Sequence, residues 1–167
     1  MNTFTRWARH LWLDARAVRR TLTPAGLTRL EQAVTRSEAR HLGELRLCVE
    51  GGLPLALLRQ GVTPRARAIH LFSHLRVWDT AHNNGVLIYL LLAERQIEIL
   101  VDRGLHADTG DAFWQALQQK LAVQLRAGHF EQGLTEAIDA VGALLRERHP
   151  AGQASNPNEL PNAVVVL

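Results

Sequence analysis

Residues 86 to 103 read VLIYLLLAERQIEILVDR, and no other stretch constrains the fold as strongly. The apolar run from Val86 to Ala93 is too short to span a membrane, which takes about 20 apolar residues. Glu94 and Arg95 end it, and Ile97, Ile99 and Val101 then alternate with Glu98 and Asp102. That alternation is the period of a half-buried strand. The segment therefore reads as two strands joined by a tight turn at Ala93 to Arg95. The first strand is apolar throughout, as a central strand covered on both faces should be. An antiparallel hairpin folded there sets Val86 roughly opposite Asp102. Its two ends then meet, Asn83-Asn84-Gly85 beside Asp102-Arg103-Gly104.

The rest of the chain supplies helices to cover such a hairpin. Thr23-Pro24 opens one, with Leu27, Leu30 and Val34 on one side, and Thr63-Pro64 opens another. Between them ELRLCVE alternates as a strand, stopped by Gly51-Gly52. This strand is expected to run parallel to the one at 86 to 92. Two more helices follow, one from Gly110-Asp111 carrying Trp114, Leu117, Leu121 and Leu125, the other from His129 or Phe130. The Gly128 between them is a left-handed helix stop. Residues 150 to 161, with three prolines among Gly, Ser and Asn, read as a flexible tail, and Ala163 to Leu167 is short enough to add to a sheet edge.

Length and composition bound the function. The chain has 167 residues, enough for one domain that buries about 70% of its unfolded surface. A single cysteine, Cys48, excludes an intrachain disulfide and a metal-binding cysteine pair. Residues 1 to 40 hold eight arginines and three acids, a net of +5 against +3 for the whole chain. The basic character stops there, so a general nucleic-acid surface is not expected. The first 22 residues resemble no secretory signal. They read instead as one basic amphipathic helix, with Phe4, Trp7, Leu11, Val18 and Leu22 on a stripe and arginines largely off it. Trp7 and Trp12 are its candidate contact residues. Such a helix either rests on anionic lipid or packs on its own domain or a partner. His70 and His74, four apart on the helix after Thr63, are spaced as two ligands of one metal, but no intervening glutamate accompanies them.

LRVWDTAHNNGVLIYLLLAERQIEILVDRGL, followed by AGHFEQGLTEAIDAVGALL, resembles the TPM domain family over roughly residues 24 to 148. NELPNAVVVL is similar to the tail of a short bacterial subgroup without a signal peptide. The family includes a thylakoid-lumen acid phosphatase and photosystem II repair protein, modulators of nematode acetylcholine receptors and many bacterial proteins. The resemblance implies an α/β fold, a three-layer α/β/α sandwich around a small mixed sheet. The amino-terminal helix (1–22) would be an addition to a TPM-like domain (23–149), with a flexible tail (150–167). For some members the resemblance also implies divalent-metal binding or weak phosphatase activity.

In the loops at the hairpin end, Asp79, Asn83, Asn84, Asp102 and Asp108 are the candidate metal ligands, and Arg103 and His106 the candidate binding residues. Two departures from the family weaken a cation site. Asn83 stands where many members have aspartate, and His106 where an acid is common. Calcium takes six to eight oxygens, usually with several carboxylates. Asp108 or Thr109 is also expected to cap the helix at Gly110-Asp111.

The expected function is a non-catalytic accessory or interaction module docking on a membrane-associated protein, with at most a weak Ca2+ or Mg2+ site. The partner that the resemblance implies is a LemA-type membrane protein or a longer TPM protein, with peripheral contact to an anionic membrane. The expected location is the cytoplasm, peripheral to the inner membrane. The alternative is a metal-dependent phosphatase acting on phosphate monoesters at the hairpin-end cleft.

Overall fold

The computed structural model describes residues 3–152 and 158–167. The chain opens with α1 (Thr3–Trp12), α2 (Ala15–Thr21) and α3 (Pro24–Glu38), then enters β1 (Leu45–Glu50). Two helices, α4 (Leu55–Arg59) and α5 (Pro64–His74), carry it to the hairpin β2 (Val86–Leu91) and β3 (Gln96–Val101). Then come α6 (Arg103–Thr109), α7 (Asp111–Arg126), α8 (Phe130–Arg148) and the short β4 (Val165–Val166). Thr23 and Thr63 cap α3 and α5, each hydroxyl accepting an N–H three residues on, with proline in the first turn.

The strands form one mixed sheet in the order β3-β2-β1-β4. β1 is parallel to both β2 and β4, and β2 is antiparallel to β3. Both faces are covered. Leu45, Leu47 and Val49 of β1, with Val86, Ile88 and Leu90 of β2, join a core that includes residues of α2, α3, α7 and α8. Their neighbours Cys48, Leu87, Tyr89 and Leu91 face a second core with Leu58, Ala68 and Leu71 of α4 and α5. This is the expected three-layer α/β/α sandwich.

Three expectations change in detail. The hairpin turn takes four residues, 92 to 95, so Leu91 pairs with Gln96 and Val86 with Val101 rather than Asp102. Asp102 lies just past the ladder, where its N–H still donates to Gly85 O at 2.9 Å. The amino-terminal segment is two helices instead of one. Asp14 breaks it, because its carboxylate accepts the N–H groups of Arg16 and Ala17 at 3.0 Å and so starts a new helix. Val18 and Leu22 then enter the core, while Leu11 and Trp12 stay exposed; the side chain of Phe4 lies outside the described residues. The end of the tail is not loose. Leu160 is buried, Cys48 and Val49 pair with Val165 and Val166, and Leu167 exchanges backbone bonds with Val49 and Gly51.

Gly51 and Gly52 form the seat for the amino-terminal arm. A Cβ on Gly51 would stand 2.5 Å from the carbonyl oxygens of Leu13 and Asp14, and one on Gly52 2.5 Å from His10 O. Backbone cannot yield there as a side chain can. Gly51→Ala should therefore destabilise the protein by about 2 kcal/mol or more in denaturant unfolding. Gly128 adopts φ +86, and a methyl added there would meet nothing within 4 Å. Gly128→Ala should thus cost only about 1 kcal/mol, for the left-handed backbone.

Buried His41 shapes the acid limb of stability. Its Nδ1–H donates to Gly43 O and its Nε2 accepts from the Ser37 hydroxyl, both at 3.0 Å. Burial pushes its pKa down to about 4, so the neutral ring is the folded form. Because this folded pKa is depressed, the stabilisation is complete above the ordinary 6.5 and is lost as pH falls through 4. Unfolding free energy measured from pH 7 to pH 4 should fall, with His41 contributing on the order of 2–3 kcal/mol.

Candidate functional site at the hairpin end

The two ends of the hairpin meet through backbone. Besides the Asp102–Gly85 bond, the Leu105 N–H donates to Asn83 O at 3.3 Å. Asn83 takes a positive φ of 50, which turns the chain into β2. A Cβ on Gly104 would lie 2.6 Å from Asn83 O. Only glycine lets the start of α6 approach this loop so closely.

Two of the five candidate ligands, Asn84 and Asp102, each keep a buried oxygen without a hydrogen-bond partner. Asn84 is fully buried; its Nδ2 donates to Leu42 O at 3.0 Å and its N–H to Thr80 Oγ1 at 3.2 Å. Asn84 Oδ1 is buried without a hydrogen-bond partner. Asp102 caps α6, its Oδ1 accepting the Arg103 N–H at 2.6 Å, and its Oδ2 is likewise buried and unpartnered. Asp79 and Asn83 are placed differently. Asp79 is exposed and pairs with Arg76 at 2.5 Å. Asn83 contributes its backbone carbonyl to the junction, and the side chain of Asp108 lies outside the described residues. Among the described residues, no group of three or more His, Cys, Asp or Glu side chains is arranged to hold a metal ion.

The candidate binding residues are dispersed. Arg103 is exposed at the start of α6. His106 sits 3.5 Å from Asp111 and lines a cavity of about 420 Å³ with Arg65, Glu98 and Trp114, beyond the outer edge of β3. Trp7 is half-buried, and Trp12 is 84% exposed. Gly110 (φ +66), rather than Asp108 or Thr109, takes the cap position of α7. The Thr109 hydroxyl accepts the Trp114 indole N–H at 2.8 Å instead. His70 and His74 stack, ring centroids 5.8 Å apart, on an exposed helix face.

Periodicity missed two polar clusters. His10 is buried between the arm and the domain: its Nδ1 accepts the Leu53 N–H at 2.8 Å, so its Nε2–H donates to Glu94 at 3.0 Å. Desolvation lowers its pKa. Glu94 also takes the Arg6 guanidinium at 2.8 Å, tying α1 to the hairpin turn. On the opposite side of the sheet from the main core, Glu50 accepts the Tyr89 hydroxyl at 2.7 Å and both Nε and Nη2 of Arg67. Cys48 lies in the same layer, its thiol pushed up to about 12 mainly by burial and so protonated and inert. By alternation Glu50 falls on the polar face of its strand with Glu44 and Arg46, so its burial carried no signal in the sequence. Nothing in the local pattern marked His10.

A mixed sheet sandwiched by helices, with its glycine-lined junction at the hairpin end, defines the class: an α/β/α domain with a polar backbone junction. The TPM domain model matches residues 18–144, and the chain belongs to the TPM domain family. Among solved structures it is similar to the NMR structure of the BA42 protein from the psychrophilic bacterium Bizionia argentinensis. The two are 27% identical, with a TM-score of 0.76 over 86% of this chain and 94% of that one. No curated protein matches. No helix among the described residues is long and apolar enough to cross a membrane.

Gly104→Ala should push α6 off Asn83 and lower the melting temperature by several degrees, an overpacking cost of about 1–3 kcal/mol. Differential scanning calorimetry checks it, with exposed Ala107→Ser as the neutral control.

Proposed function

We propose that the protein is a non-catalytic accessory module that docks, through its amino-terminal arm, on a membrane-associated protein. The observation that carries this reading is the exposure of Leu11 and Trp12, 63% and 84%, at the end of a helix whose other contacts fix it to the domain. Arg6 and His10 hold α1 through Glu94 and Leu53, and Val18 and Leu22 hold α2 in the core. The arm therefore presents its two large apolar side chains on a rigid base. Rigid, exposed aromatic groups are what interface centres use, since ordering them on binding costs little entropy. Arg16, Arg19 and Arg20, all exposed on α2, put positive charge beside them, suited to an anionic membrane surface. The partner suggested by family resemblance is a LemA-type membrane protein or a longer TPM protein.

The hairpin end fits a subordinate role. Asp102 Oδ2 and Asn84 Oδ1, each buried without a hydrogen-bond partner, are oxygens open to a weakly held divalent cation, while Asp102 Oδ1 and Asn84 Nδ2 already hold α6 and Leu42 in place. One carboxylate and one amide oxygen supply little charge, so calcium affinity there should be no tighter than millimolar.

Binding to bacterial inner-membrane vesicles tests the docking. The chain should sediment with them saturably, and protease treatment of the vesicles should abolish this. The double substitution Leu11→Ser/Trp12→Ser should reduce binding by about tenfold or more without shifting the melting temperature. Equal binding by this variant would refute the arm as the docking element. Turnover of an aryl phosphate that disappears in Asp102→Ala would make the phosphatase reading the correct one.

A further inference from the structure

Polar contacts hold α1 to the domain. No α1 residue whose side chain is described enters either apolar core, whereas Val18 and Leu22 anchor the following segment in the larger one. The Arg6 guanidinium donates to Glu94 Oε1 at 2.8 Å and to Val62 O at 3.1 Å. His10 is buried, and its ring joins α1 to two other segments. Its Nδ1 accepts the Leu53 N–H at 2.8 Å, and its Nε2 lies 3.0 Å from Glu94 Oε1. A backbone amide only donates, so Nδ1 carries no proton and the single ring proton sits on Nε2. Beyond α1, Asp14 is extended (φ −96, ψ −175), so α1 and α2 are separate rods joined at Leu13-Asp14.

We propose that His10 is a proton-sensitive latch: mild acidification releases α1 from the domain about Leu13-Asp14, while α2 keeps its place. A proton added at Nδ1 would face the Leu53 N–H across a 2.8 Å gap, and two donors cannot share that space. Turning the ring over does not help, because it sets a carbon where the Leu53 N–H needs an acceptor. The groups around the ring pull both ways. Burial lowers its pKa most; Glu94 of the hairpin turn raises it, Arg6 of α1 lowers it, and Glu50 of β1 raises it. The net effect is a folded pKa below the ordinary 6.5. The hold on α1 is therefore complete above 6.5 and is lost as pH falls through the folded value. With α1 outside both cores, no apolar burial keeps it in place once the ring is charged. The latch operates whether or not the arm docks on a partner.

The test follows the isotope-labelled full chain by NMR from about pH 7.5 to about pH 5, above the range in which His41 takes up its proton, about 4. The His10 ring should protonate, and the α1 amides from Trp7 to Leu11 should move to unstructured positions, with one common midpoint below 6.5. The β2 amides should hold theirs. Each pH unit below the ordinary value should lower the ratio of docked to released α1 by up to about tenfold. His10→Asn, whose amide oxygen can accept the Leu53 N–H but takes up no proton in this range, should keep α1 docked throughout. If that variant already releases α1 at about pH 7.5, coincidence of the ring and amide midpoints in the unsubstituted protein decides. The proposal is overturned if the ring takes up its proton while α1 stays docked, or if α1 is still docked at about pH 5. It is overturned equally if His10→Asn releases α1 over the same pH range as the unsubstituted protein.

Discussion

All six residues of β2 are excluded from solvent, with Val86, Ile88 and Leu90 against one helical layer and Leu87, Tyr89 and Leu91 against the other. The rest of the structure depends on that burial. Each fully buried side chain of this kind contributes roughly 1.5–3 kcal/mol, so the strand alone represents a gain comparable to a domain's net stability of about 5–15 kcal/mol. A strand buried on both faces needs a neighbour on each side and helices above and below. β1 and β3 are the neighbours, and α3, α5, α7 and α8 are placed to cover the faces. The hairpin end, where backbone from Asn83 and Leu105 joins, is a consequence of this central pairing.

Polar groups were fitted into this frame where the strands change partners. Glu50 sits at the end of β1, buried, yet fully occupied by Tyr89 and Arg67, which join α5 to the sheet. Glu94 does the same at the hairpin turn for α1. Breaking one member of such a cluster leaves the other buried without its partner, which is where the cost lies. Asn84 and Asp102 differ because each keeps one buried oxygen without a hydrogen-bond partner. These are the places where the structure leaves chemistry open.

The apolar run and the alternation after Glu94 made the hairpin legible, and the same period made β1 legible. What could not be read was decided by contacts between distant segments. Turn length followed from where the ladder closes, which moved the register by one residue. Asp14 falls between Leu11 and Val18 along the apolar stripe, and as a cap it divides the arm in two. α6 was missed because seven residues, RGLHADT, carry no helical stripe, and its start depends on Asp102 acting as a cap. The site was half legible. Asn84 and Asp102 were recognisable from the hairpin geometry, whereas the occupation of Asp79 by Arg76 depends on turn geometry that no spacing records.

Native-state hydrogen exchange tests the central claim that the doubly buried strand organises the fold. The β2 amides from Leu87 to Leu91 should exchange only through global unfolding, with protection equal to the stability measured by denaturant. Amides of α1, tied to the domain through the polar side chains of Arg6 and His10, should exchange through a smaller local opening. If β2 instead opens at the same low free energy as α1, the strand is not the centre of the structure.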